Sequence, residues 1–145
     1  MINSQFTIVT FYQFKKISDI LIFKKKLSHF CKFNKIKGII ILAGEGINGT
    51  IAGIPSSIKS FENLIFKMGF NDYNPKYSYS KFMPFFRLKI RKKKEIVTLR
   101  NKIADPENIT GNKVEPENWN QLISKDGTIL IDVRNNFEVK MGTFK

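Results

Sequence analysis

The sequence has a single cysteine, Cys31, and a single histidine, His29, among its 145 residues. One thiol excludes a disulfide within the chain, and such scarcity is typical of a reducing cytoplasm. The two side chains are too few soft ligands for a zinc site, and at two positions apart they do not share a helix face. We therefore predict no catalytic residue and no metal site in this chain, and expect Cys31 to pack among aromatic side chains.

Long apolar runs are also missing. No run approaches the ~18 residues that a membrane-spanning helix needs, and no charged segment followed by an apolar one marks a secretory signal at the N-terminus. These absences predict a cytoplasmic protein without a membrane partner. Of the residues present, 42% are hydrophobic and 13% are aromatic, which suffices for the buried core of one ordinary domain.

Acidic residues are scarce over residues 1–104, which hold 20 Lys or Arg and only 5 Asp or Glu. Residues 105–145 carry 5 basic and 7 acidic residues. This asymmetry predicts an anionic partner for the first segment, and RNA or DNA is the usual candidate. An alternative stays open, because most of the basic residues are Lys and an AT-rich genome produces that bias through codon choice alone.

The spacing of apolar residues predicts an α+β fold in the first segment. In chain order we predict a strand at residues 6–14, a helix capped by Asp19, strands at residues 37–43 and 49–53, a helix that begins at Pro55 and a strand at residues 85–91. The order β-α-β-β-α-β is that of the ferredoxin-like sandwich, an antiparallel sheet with two helices on one face. Residues 71–81 are predicted to form turns, and residues 95–99 a further strand or hairpin return.

A glycine-rich stretch, Gly44-Glu45-Gly46-Ile47-Asn48-Gly49, matches the dinucleotide-binding pattern G-x-G-x-x-G. That fingerprint must open into a helix, whereas this stretch opens into a predicted strand, and Asn48-Gly49 is a strong hairpin signal. We therefore predict no dinucleotide. The glycines allow a loop with positive φ, and its exposed backbone can contact RNA. The candidate RNA-binding residues in this loop are Gly44, Glu45, Gly46 and Asn48.

The strand at residues 85–91 alternates cleanly between apolar and basic side chains. Phe86, Leu88 and Ile90 point to one face and are expected to meet the helices. The candidate RNA-binding residues on the opposite, open face and just beyond it are Arg87, Lys89, Arg91, Lys92, Lys93, Lys94 and Arg100. A basic sheet with aromatic neighbours is how several small folds hold single-stranded or looped RNA. The alternative is a solvated charged face without a partner.

The second part of the chain differs in composition. We predict a ferredoxin-like RNA-binding domain at residues 1–103, a linker at 104–117 that contains Asp105-Pro106, Gly111 and Glu115-Pro116, and the start of another domain at 118–145. This last part contains a helix around Trp119 and an apolar strand at residues 128–132. Such a strand needs partners on both sides, so we expect residues 114–145 to pack poorly on their own.

Three stretches together carry a resemblance to a known family. They are GIIILAGEGINGTIAG (38–53), FFRLKIRKKKEIVTLR (85–100) and VEPENWNQLI with ILIDVRNNFEVKMGTFK (114–145). In sequence, order and separation they resemble the rhodanese-related, oxygen-dependent tRNA uridine hydroxylases. In that family a ferredoxin-like domain precedes a rhodanese domain, and residues 118–145 resemble the beginning of the latter.

The resemblance implies an oxidoreductase of tRNA modification that hydroxylates C5 of the wobble uridine, with tRNA as partner and molecular oxygen as co-substrate. It also implies that the reactive cysteine of the rhodanese domain lies beyond Lys145, so we expect this chain to supply the basic substrate-binding half, to hold no cofactor and to be inactive alone. Asp132, Arg134 and Glu138 match the family pattern, and we expect structural roles for them. Two alternatives remain open, a non-catalytic RNA-binding module and a rhodanese-type sulfurtransferase.

Overall fold

The structure, a computed structural model, describes residues 5–98 and 111–144. The chain divides into two compact units, residues 1–110 and 111–145. In the described part of the chain, no helix is long and apolar enough to cross a membrane. The predicted divisions of the chain after residues 103 and 117 stay predictions.

The first unit is a five-stranded sheet with two helices on one face. Its elements are β1 (Phe6–Phe14), α1 (Ile20–Phe33), β2 (Lys37–Ala43), β3 (Gly46–Gly53), α2 (Pro55–Lys67), β4 (Lys76–Ser80) and β5 (Leu88–Lys92). The strand order is β4-β1-β3-β2-β5. The predicted α+β, ferredoxin-like architecture is confirmed, with one correction. The sheet is mixed rather than wholly antiparallel, because β5 pairs with β2 in parallel.

The strand after α2 was placed wrongly by the sequence pattern. Residues 71–81, predicted as turns, contain β4, which pairs with the outer edge of β1. The segment predicted as the fourth strand is the fifth, and it begins at Leu88 rather than Phe85. Residues 95–98 form no strand, and Leu99, the last residue of that predicted strand, lies outside the described residues.

The hairpin between β2 and β3 also differs from the prediction. Its turn is Gly44-Glu45, so β3 begins at Gly46, and Asn48-Gly49 lies inside the strand. Gly49 is explained by packing rather than by a turn. A Cβ at this position would lie 2.7 Å from the carbonyl oxygen of Ile39 and 3.0 Å from the ring of Phe11, distances that no larger residue tolerates.

The hydrophobic core lies between the sheet and the two helices. Asp19 caps α1 by accepting a hydrogen bond from the backbone N–H of Ile22 at 2.9 Å, and the rings of Phe11 and Phe61 lie 5.4 Å apart. Alternate residues of each strand meet the apolar stripes of the helices. The core comprises, among others, Val9, Phe11, Ile40, Leu42, Ile47, Ile51, Phe23, Leu27, Cys31, Ile58, Phe61 and Ile65.

The second unit contains two short helices, α3 (Pro116–Ile123) and α4 (Asn136–Met141). The rings of Trp119 and Phe144 lie 5.7 Å apart. The predicted strand at residues 128–132 is wrong, because this segment forms no strand in the structure. Ile129 and Ile131 are 83% and 72% exposed. A strand exists only through hydrogen bonds to a neighbour, and the described part of this unit contains no neighbouring strand.

Candidate nucleic-acid interface

Two predicted basic residues stand on the open face, which we define as the side of the sheet away from α1 and α2. In β5, Leu88 and Ile90 pack against the core, so the intervening Lys89 and Arg91 must point to the other side. Lys89 lies opposite Ile39 and Arg91 opposite Ile41 on β2. The alternation seen in the sequence therefore orients these two side chains as predicted.

Polar and aromatic side chains extend from these cations across the sheet. The pairing registers define two rows on the open face. The hydroxyls of Thr10 and Thr50, neighbours on β1 and β3, lie 2.9 Å apart, and the rings of Tyr12 and Phe14 lie 6.4 Å apart. The rows are Lys76, Thr10, Thr50, Ile39 and Lys89 in one, and Tyr12, Asn48, Ile41 and Arg91 in the other.

The charged side chains of the described strands are all basic. The five strands that the structure describes contain no Asp or Glu. Four basic residues lie at strand positions of the open face by register, namely Lys37, Lys76, Lys89 and Arg91. A surface with one sign of charge produces a potential that attracts a polyanion. Ile96 packs against Gly46 and accepts a hydrogen bond from Asn48 at one end of this face. The rest of the open face can hold phosphates at its edges and present aromatic and hydroxyl groups between them.

The other predicted basic residues do not belong to the two rows of the open face. Arg87 precedes β5, is exposed, and accepts a hydrogen bond from Gly38 through its backbone carbonyl at 3.1 Å. Lys92 lies opposite Leu42, a core residue, and hence belongs to the helix side of the sheet edge. Lys93 and Lys94 follow the strand and are exposed. Arg100 lies outside the described residues.

The glycine-rich hairpin turns its polar groups toward the protein. A carboxylate oxygen of Glu45 accepts a hydrogen bond from the backbone N–H of Ile96 at 2.7 Å, and the side-chain amide of Asn48 donates to the Ile96 carbonyl at 3.0 Å. The carbonyl of Gly44 accepts from the N–H of Ile17 at 2.9 Å. Gly46 lies under the Ile96 side chain. The RNA-binding role predicted for this hairpin stays a prediction, although one carboxylate oxygen of Glu45 and the side-chain amide nitrogen of Asn48 already have partners within the protein.

Positive charge is not confined to the sheet. The outer side of α1 carries Lys24, Lys25, Lys26 and Lys32, which line a shallow groove together with the exposed Leu21 and Ile22. A second cationic surface therefore exists on the helix layer, and binding experiments must distinguish the two.

Cys31 is fully buried in the core. Burial raises the pKa of its thiol to about 12, because the low-dielectric interior disfavours the thiolate. A thiol in this state is not a nucleophile at neutral pH. Among the described residues, no group of three or more His, Cys, Asp or Glu side chains could hold a metal ion.

In the second unit, the residues that match the family pattern bond to one another. Arg134 and Asp132 form an ion pair at 2.7 Å, and Arg134 also donates to the carbonyl of Gly142 at 2.7 Å. The hydrogen bonds from Arg134, with a further one from Thr143, lower the pKa of Asp132. Glu138 completes a capping box at the start of α4. These contacts organise the unit locally and support the predicted structural roles.

The sequence pattern missed an aromatic segment between β4 and β5. Phe86, predicted to face the helices, is 99% exposed, and Phe82 is 79% exposed. Alternation fails for Phe86 because β5 begins only at Leu88, after Pro84, which has no N–H to donate to a strand. Phe86 and Arg87 line a shallow cavity of about 360 Å³ beside Lys89.

Comparison with known proteins shows to which family the chain belongs. Residues 6–96 match the family model described as the UPF0176 acylphosphatase like domain. The chain belongs to this family. A solved acylphosphatase from Coxiella burnetii is 11% identical to this chain, and the match covers 63% of this chain and 100% of the acylphosphatase with a TM-score of 0.42.

Curated relatives of the chain carry the name tRNA uridine(34) hydroxylase. The chain is 44% identical to the one from Nitrobacter winogradskyi, over 95% of this chain and 56% of that protein. It is 44% identical to the one from Acaryochloris marina, over 98% and 46%, and 43% identical to the one from Bradyrhizobium diazoefficiens, over 99% and 58%. The chain thus spans about half the length of the curated relatives it matches.

Proposed function

We propose that this chain is the substrate-binding part of an enzyme that hydroxylates the wobble uridine of tRNA, with molecular oxygen as co-substrate. Support comes from the name tRNA uridine(34) hydroxylase, borne by relatives 43–44% identical over nearly the whole chain. The substrate is a cytoplasmic RNA, so the proposed site of action is the cytoplasm.

The open face is the proposed tRNA-binding surface. The observation that carries this is the placement of Lys89 and Arg91 on a sheet whose described strands contain no acidic residue. Lysine and arginine contacts to phosphates supply most of the sequence-independent affinity of nucleic-acid binding. Tyr12, which is 39% exposed in the row of Arg91, offers a ring on which a base can stack.

The chain's own residues support a role in binding rather than in the chemical step. A covalent step on a uracil ring requires a nucleophile, and the only cysteine of the chain is buried with its pKa raised to about 12. We propose that residues 1–145 bind the tRNA, and that the reactive thiol belongs to another part of the enzyme.

Mass spectrometry of tRNA from cells that lack the full gene tests the enzyme proposal. We expect 5-hydroxyuridine at the wobble position to decrease, and to return when the intact gene is restored. Unchanged 5-hydroxyuridine would refute the hydroxylase proposal in a cell with no second enzyme for this reaction. Loss of a thiolated nucleoside with retention of the hydroxylated one would instead identify a sulfurtransferase.

A further inference from the structure

The segment that joins β4 to β5, which we call the crossing loop (residues 81–87), spans the width of the sheet. β4 and β5 are the two edges of the strand order. The loop leaves β4 at Ser80, opposite Phe6, and reaches β5 at Leu88, opposite Gly38. Since β1 begins at Phe6 and β2 at Lys37, next to Gly38, the loop runs along the end of the sheet where those strands start. Met83 lines a cavity of about 570 Å³ there together with Phe6.

The crossing loop presents one aromatic ring almost entirely to solvent. Phe86 is 99% exposed, although its neighbour Phe85 is partly buried. A phenylalanine stabilises a fold by removing its ring from water, so this exposed ring contributes little to the stability of the described unit. Its face is available to a flat ligand.

The surroundings of this ring are cationic. Phe86, Arg87 and Lys89 line the same shallow cavity of about 360 Å³, and Ile39 of the open face also lines it. Residues 81–94 contain seven basic residues and no acidic one. A protein–protein hot spot needs a pocket that excludes water around its aromatic anchor, whereas an exposed ring beside cations is how single-stranded nucleic acids are held.

We propose that Phe86 stacks on an unpaired nucleobase of RNA while Arg87 and Lys89 contact the phosphates beside it. This inference rests on the proposed function and deepens it, because it identifies the part of the RNA that the sheet end recognises. Stacking requires a base that is out of the helix, so the ligand is a loop or a single strand rather than a duplex. The aromatic face accepts any base, and Phe86 therefore provides affinity for unpaired RNA without sequence preference.

The test measures the affinity of the 145-residue chain for three RNAs: a hairpin with an unpaired loop, the same hairpin with abasic loop nucleotides, and a duplex of the stem alone. We expect Phe86→Ala and Phe86→Leu to weaken hairpin binding by about ten-fold. Binding of the abasic hairpin and of the duplex should not change, because neither offers a base to stack. Phe82→Ala is the matched control, since Phe82 is exposed on the same loop but does not line the cavity.

Fluorescence provides a second measurement. Phe86→Trp keeps a stacking surface, so we expect hairpin affinity to be retained and the new tryptophan to be quenched by the hairpin and not by its abasic form. The wild-type chain, whose only tryptophan is Trp119, supplies the background signal.

Three outcomes would overturn the inference. Equal hairpin binding by wild type and Phe86→Ala would exclude stacking and leave the proposed tRNA-binding surface intact. An unchanged affinity combined with loss of self-association would mean that the ring docks on a second copy of the chain. If the wild-type chain binds none of the RNAs, the proposed binding role fails together with the inference.

Discussion

The carboxylate of Glu45 accepts a hydrogen bond from the backbone N–H of Ile96, 51 positions further along the chain, at 2.7 Å. Asn48 completes the arrangement by donating to the carbonyl of the same residue at 3.0 Å. Ile96 is only 3% exposed and lies apart from the main core cluster. Two side chains of one hairpin thus satisfy both backbone groups of a buried residue and anchor the segment that follows β5.

Glu45→Ala should therefore destabilise the first unit. The N–H of Ile96 would lose its partner in a buried position, which costs about 1–3 kcal/mol. Urea denaturation should show a lower free energy of unfolding, and the Ile96 amide should exchange faster. Glu45→Gln, which keeps an acceptor oxygen, should lower the free energy of unfolding by less than Glu45→Ala. An unchanged unfolding free energy in Glu45→Ala would show that this contact does not anchor the segment.

Cys31 should make the stability of the chain depend on pH in the alkaline range. Burial raises the pKa of the thiol from 9.0 to about 12. Below 9.0 the thiol is protonated in both the folded and the unfolded state. As the pH rises from 9.0 towards 12, only the unfolded thiol ionises, so this residue's contribution to stability is progressively lost.

Comparison with Cys31→Ala isolates this effect from the ionisation of Lys and Tyr. We expect the variant to be less stable at neutral pH, because a buried side chain is shortened, and the difference from wild type to shrink above pH 9.0. Denaturant unfolding over a pH series measures this difference. Parallel pH profiles for the two proteins, or rapid labelling of native Cys31 by a thiol reagent at neutral pH, would contradict the prediction.

Charge reversal should separate the two cationic surfaces. We expect Lys89→Glu and Arg91→Glu to weaken tRNA binding and to reduce the slope of log affinity against log salt by roughly 0.7–0.9 per lost phosphate contact. Lys59→Glu, at an exposed position of α2, is the matched control for net charge. A larger loss from Lys25→Glu on α1 than from either sheet variant would move the interface to the helix layer.

The parts of the fold that local chemistry determines were predictable from the sequence. β1 and β2 have the predicted bounds because alternation and flanking glycines are properties of neighbouring residues. β4 was missed because KYSYS is only five residues long and its alternating Tyr and Ser side chains lie at an exposed edge, so the strand has no buried apolar face. The contacts that hold β4 in place join residues far apart in the sequence. They are the pairing of Tyr77 with Val9 and the hydrogen bond from the Tyr77 hydroxyl to Glu62 of α2.

In the candidate site, too, the features set by neighbouring residues were predictable and those set by distant contacts were not. The orientation of Lys89 and Arg91 follows from alternation within one strand. The hydrogen bond between Glu45 and Ile96 joins distant positions of the chain. The sequence pattern around Glu45 indicates only a glycine-rich motif with one acidic residue. The exposure of Phe86 depends on where β5 begins, and strand ends are poorly specified by hydrophobic pattern.

Hydrogen exchange should distinguish the apolar segment at residues 128–133 from an apolar strand of the sheet. Residues 39–42 of β2 have a partner strand on each side, whereas residues 128–133 form no strand and Val133 is 91% exposed. We expect the amides of the former to be protected and those of the latter to exchange rapidly. The Val139 amide of α4, which donates to the carbonyl of the N-cap residue Asn135, is the control for helical protection within the same unit. Equal protection of both segments would mean that residues 128–133 have found a hydrogen-bonding partner in solution, and dilution would then show whether that partner is a second copy of the chain.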